Sequence, residues 1–170
     1  MKKQLLVCLL SLVAVTNVFS QEDKSKRVSP PAKVSETTDK GITVSIDYSQ
    51  PSLKGRQLGV DVAPFGQVWR TGANEATVFE ISKDAKIEGK PLKAGKYSFY
   101  SIPGEEGATL IFNKAWKQWG TVYNEAEDAL RINVTPSESP EFTEKMTFTI
   151  NKSGVVTFRW GNGQAEFKVD

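Results

Sequence analysis

The chain reads as an all-β protein, a two-sheet antiparallel sandwich or jelly roll, with a small up-and-down barrel as the alternative. Three observations predict this. Apolar residues alternate with polar ones at a period of two in run after run, turn residues (Gly, Pro, Asn) separate the runs, and no stretch has the spacing of an amphipathic helix. About eight or nine short strands at such spacing favour two packed sheets over one open sheet. No internal repeat is visible, so one domain over 33–170 is the simplest division.

The first clear strand places Ile42, Val44, Ile46 and Tyr48 on one face and Thr43, Ser45 and Asp47 on the other. Similar runs cover 77–82, 97–102, 108–113 and 130–134. Toward the end, Met146, Phe148 and Ile150, then Val156, Phe158 and Trp160, then Ala165, Phe167 and Val169 form three apolar faces. Asn162-Gly163 tolerates positive φ at both residues and suits a tight turn, so this part is expected to be a three-stranded meander. Segments 93–95 and 103–107 punctuate the middle in the same way.

Met1, Lys2 and Lys3 precede an apolar run over 5–15, and Ser20 precedes the polar Gln21-Glu22-Asp23. This is the pattern of a cleavable signal peptide over 1–20, with export to the periplasm or beyond as the expectation. The run is shorter than the ~20 residues a membrane helix needs, and no membrane span is expected later. Cys8 follows Val7 inside the apolar run, where it is hydrophobic filler and not a lipid-anchoring cysteine. Residues 21–32 are charged, small and proline-bearing, and read as a flexible lead-in.

Removal of Lys2 and Lys3 leaves twenty basic residues facing twenty acidic ones. A neutral chain gives no support to nucleic-acid binding or to docking on anionic lipid. With Cys8 gone no disulfide is available, and stability rests on packing a core from about 150 residues. The chain has no histidine, which excludes a Ser-His-Asp triad, a Cys-His pair and imidazole acid–base chemistry. Zinc, copper and haem sites draw on the same missing side chains, so no metal and no cofactor is expected. Glu125, Glu127 and Asp128, after Asn124, lack the spacing of a calcium loop and read as a solvated acidic turn. Oligomeric state is not legible in the sequence.

The alternation lapses between Tyr48 and Thr77, and a loop of this length in a small domain is usually functional or disordered. Phe65 and Trp69 argue against disorder. The segment gathers Lys54, Arg56, Arg70, Asn74 and Glu75, groups able to hold a carboxylate, phosphate or sugar hydroxyls, beside Trp69. The competing reading is structural, with Arg70 paired to Glu75 and Asn74 capping a turn. Trp116 and Trp119, in the 114–120 connection, are candidate platforms for sugar stacking, whereas Trp160 alternates with Phe158 as core.

The runs 48–56, 68–77 and 92–98 carry a family resemblance, most specifically Trp69-Arg70-Thr71-Gly72-Ala73-Asn74-Glu75-Ala76-Thr77. Over nearly the whole chain after the leader, the sequence resembles the secreted family known as domain of unknown function 2911. The family pattern often has arginine at the place of Gln50 and tyrosine at that of Phe65. The resemblance implies an envelope or extracellular location, mostly in Bacteroidetes-type bacteria, and brings no activity or catalytic residues.

Three functions follow as expectations. The first is a noncatalytic module binding a small polar ligand, a glycan or an envelope protein through the 54–75 loops. The second is a carboxylate-dependent glycan hydrolase, with Glu75 and a second acid such as Asp47 or Glu80. The third is a structural or assembly role in the envelope.

Overall fold

Apolar–polar alternation underlies six strands joined in one antiparallel sheet; the strand at 77–81 buries every second residue, whereas those at 95–102 and 108–113 bury consecutive residues because both of their faces are covered. The strands are β1 (Pro31–Thr37), β2 (Thr43–Ser49), β3 (Thr77–Ile81), β6 (Gly95–Ile102), β7 (Ala108–Asn113) and β8 (Asp128–Val134), and the sheet order is β1-β2-β3-β6-β7-β8. A short hairpin of β4 (Ala85–Ile87) and β5 (Lys90–Leu92) follows β3. The second layer is a long hairpin of β9 (Ser137–Ile150) and β10 (Val155–Lys168). The architecture comes from a computed structural model, which describes residues 23–170. The signal peptide read in 1–20, with Cys8, lies outside the described residues.

This is the all-β, two-layer arrangement expected, with no closed barrel. Ile46, Phe79 and Tyr97 lie side by side across three strands, and Phe99 lies opposite Phe112. Hairpin residues Met146, Phe148, Val156 and Phe167 cover them. Rings interlock between the layers, with Phe99–Phe148 at 6.0 Å, Phe99–Phe167 at 5.8 Å and Phe79–Phe167 at 6.0 Å, while Phe79–Phe112 at 4.9 Å packs within the sheet. Such pairs contribute about 0.5–1.5 kcal/mol each beyond their burial.

Two expectations are corrected. The C-terminal part is one long hairpin, not a three-stranded meander. Between Arg159↔Thr147 and Gly163↔Glu138 the register slips twice, so β9 carries bulges where a turn was expected in β10. Gly161 does adopt positive φ (61°), but it uses that freedom inside the strand, where Leu53 and Leu58 pack against its bare Cα. The second correction concerns the lead-in. From Asp23 onward it is folded, with a 3-10 turn at Lys24–Lys26 capped by Asp23, and β1 begins at Pro31, inside the expected lead-in. Its polar composition hid the ion pairs that fix it.

Candidate functional site

The two layers do not fill the space between them at one end. A cavity of about 240 Å³ remains, walled by Trp69, Phe99, Phe158, Trp160 and Phe167, with Leu58 among the other apolar residues lining it. The 57–66 loop and the 103–105 turn rim it, joined by the Gly66 N–H donating to Pro103 O at 2.8 Å. Phe65 lies flat against Gly59 at this rim, where any Cβ would collide with the ring. Small residues leave the room: Ala108, Gly163 and Ala165 stand on the lining where their neighbours are aromatic. Thr71 and Ser101 bring hydroxyls to the wall, but Thr71 Oγ1 donates to Ser101 Oγ at 3.0 Å, so the pair is largely self-satisfied.

Trp69 is the one residue of the sequence-based set that lines this cavity. It bridges Ser101 backbone to backbone, and its indole stacks on Trp160 with centroids 5.6 Å apart and planes 12° apart. Trp160 is core, as expected, and its Nε1–H donates to Glu144 O.

Trp69 and Thr71 turn inward, and Arg70 between them belongs to the other side of the sheet. There Tyr100, Ile111 and Ala76 form a small second cluster with Tyr123 against it. Chain 114–127 caps this side: Glu75 bridges Trp119, and the Gly120 N–H donates to Asn74 O at 3.1 Å. The cap is held by a polar network on Asp128, which accepts from Tyr123 Oη and Arg131 Nε at 2.7 Å and from Asn113 Nδ2 at 2.8 Å. Burial, and then the hydrogen bond to Asp128, push the Tyr123 hydroxyl up to about 12. The acidic turn is thus built into the cap through Arg131, which also pairs with Glu125.

The expected Arg70–Glu75 pair does not form. Glu75 instead binds Lys24 at 2.8 Å and Arg27 at 2.8 Å, from the segment before β1. Burial pushes the Glu75 carboxyl up, but hydrogen bonds from Lys24, from its own backbone and from Arg27 outweigh it and hold it at about 2. Asn74 does not cap a turn; its Nδ2 donates to Ser29 O at 3.1 Å, fastening the same segment. Glu75 shares a shallow cleft with Asp47, but Asp47 is held by Lys33 at 3.0 Å, and Glu80 pairs with Lys96 at 3.5 Å. Its ion pairs favour the charged form of Glu75, opposite in direction to the raised pKa that a glycosidase acid needs.

Lys54 and Arg56 sit apart from this group, on a turn tied to β9. Lys54 has φ 51°, and its backbone N–H donates to Glu144 Oε1. The Arg56 guanidinium is spent on its own turn, donating to Leu53 O and Ser52 O. Trp116 lies under Lys96 Nζ, 5.0 Å from the ring centroid, whereas Trp119 is 51% exposed. Of the two positions at which the family pattern differs, Gln50 donates to Met146 O and Phe65 rims the cavity.

Fold and cavity together define an all-β domain of two packed layers with a partly open apolar pocket between them. The family model described as "Protein of unknown function (DUF2911)" matches residues 29–169, and the chain belongs to that family. No curated protein and no solved structure matches the chain.

Sequence reasoning missed the cavity because Phe99, Phe158 and Phe167 look like any other inward positions of alternating strands. The available signal was the smallness of Ala108, Gly163 and Ala165, which leaves volume unfilled beside large rings.

Proposed function

We propose that the protein is a noncatalytic binding module that takes a small apolar molecule, or the apolar end of a larger one, between its two layers. The observation that supports this reading is the carbon-lined cavity of about 240 Å³. Packed interiors rarely hold voids of this size, and an engineered apolar cavity of ~150 Å³ stays dry and takes up benzene. Water gains few partners on such walls, so an apolar guest is favoured by both dispersion and desolvation. The polar groups of 54–75 serve a different purpose in this reading. Arg56, Asn74 and Glu75 hold chain segments, and the loop they order forms part of the cavity wall. Binding outside the cytoplasm is part of the proposal, on the strength of the leader pattern in 1–20.

The test is a thermal-melting series with octanol, hexanol and benzene, against glucose as a polar control. Apolar compounds are expected to raise the melting temperature in proportion to their affinity, and Ala165→Phe, which fills the space, is expected to abolish the rise. A rise with glucose alone, or an octanol response that survives Ala165→Phe in a folded variant, would overturn the reading.

A further inference from the structure

Arg70 breaks a rule that the rest of the chain keeps. Among the described residues, its Nε is the only buried side-chain nitrogen or oxygen with no hydrogen-bond partner. No carboxylate pairs with it, because Glu75 is taken by Lys24 and Arg27. Desolvation lowers its affinity for its proton, and only Tyr100 opposes that. A buried donor left unpaired and a cation without a counter-charge both cost stability, so the arrangement calls for an explanation, of which a bound anion is one.

The surroundings are shaped to keep Arg70 where it is. Gly120 provides a seat for its stem, since a Cβ there would collide with Arg70 Cδ and lie 2.7 Å from Asn74 O. The backbone on its C-terminal side is strained: Thr71 (φ 46°) and Asn74 (φ 59°) both occupy the left-handed region, which a β-branched threonine rarely enters. Thr77 Oγ1 donates to Thr71 O at 2.8 Å and helps hold that geometry. Next to Gly120 in the chain stands Trp119, 51% exposed and joined to the Arg70 loop through its bridge with Glu75. A half-buried guanidinium whose stem lies against Gly120, with the exposed indole one residue away in the chain, offers a fork for an oxyanion and a flat face for the C–H side of a sugar ring.

We infer that Arg70 and Trp119 form a second binding site, on the outer side of the sheet, for an acidic sugar whose carboxylate meets the guanidinium and whose ring stacks on the indole. This site is independent of the cavity, on which Trp69 and Thr71 but not Arg70 are found.

Calorimetric titration with glucuronate, glucose and inorganic phosphate, on the protein and on Arg70→Met and Trp119→Ala, tests the inference. Glucuronate is expected to bind the unaltered protein, with affinity reduced about tenfold or more by Arg70→Met and measurably by Trp119→Ala. Glucose is expected to bind far more weakly. Without ligand, Arg70→Met is expected to melt at the same temperature or higher, because it removes an unsatisfied cation while keeping the apolar stem. The inference is overturned if glucuronate fails to bind, or binds Arg70→Met as well as the unaltered protein. A melting temperature several degrees lower for Arg70→Met would make Arg70 a packing residue. Phosphate binding as tightly as glucuronate, with no effect of Trp119→Ala, would reduce the site to a bare anion contact and remove the sugar.

Discussion

The two faces of the six-stranded sheet solve opposite packing problems. On the inner face large rings from both layers meet, no buried side-chain polar atom among the described residues is left without a partner, and space is left over. On the outer face only a small cluster is covered, by a loop instead of a sheet, and polar groups hold the cover in place. The inner face keeps a void and the outer face keeps an unpaired charge. Each departs from ideal packing in the currency its own chemistry uses, and that is why the two are argued as sites for different ligands.

The contrast predicts how each face fails. The largest effect belongs to the inner face: Phe99→Ala, removing a ring in contact with Phe112, Phe148 and Phe167, is expected to cost about 3–5 kcal/mol in urea unfolding. A loss below ~1 kcal/mol would mean the layers are not packed through this ring. Next comes the outer cap, where Asp128→Ala removes the shared acceptor of Tyr123, Asn113 and Arg131 and is expected to cost about 2 kcal/mol. The same change should bring the Tyr123 hydroxyl down from about 12, readable by ultraviolet titration; an unmoved tyrosine would disconnect the cap from Asp128.

Smaller and opposite in sign is Ala165→Leu, which enters empty space and is expected to stabilise by about 1 kcal/mol while weakening octanol binding. Destabilisation there would indicate a cavity already closed in solution. The smallest effect is at the Glu75 clasp. Its folded-state pKa, about 2, lies below the ordinary 4.5, so its stabilisation is complete above the latter and is lost as pH falls through about 2. Half-exposed ion pairs are screened, so the contribution is under about 1 kcal/mol, and Glu75→Gln should flatten acid unfolding only within that window. An unchanged acid limb would show that the clasp contributes nothing.

Sequence alone revealed the strands that alternate cleanly: the run at 108–113 coincides with β7, and those at 97–102 and 130–134 lie within β6 and β8. It could not reveal β1, whose polar composition is stabilised by pairing along β2, including Lys33 with Asp47. Nor could it separate a turn from a bulge at Gly161–Gly163, since glycine with positive φ serves both. At the site, residue types pointed to the 54–75 segment, but partner choice is three-dimensional. Glu75 took cations from before β1, and Arg70, which was expected to take it, was left without a partner. The cavity was the least legible feature, because alternation shows which residues face inward and not whether the facing layer reaches them.

The most direct test of the central proposal is the set of intermolecular nuclear Overhauser effects from octanol to the protein. The account predicts contacts from the octanol methylenes to ring protons of Phe99, Phe158, Trp160 and Phe167, all lost in Ala165→Phe. Contacts confined to exposed apolar residues such as Val60 and Phe142, with none to those four rings, would contradict it.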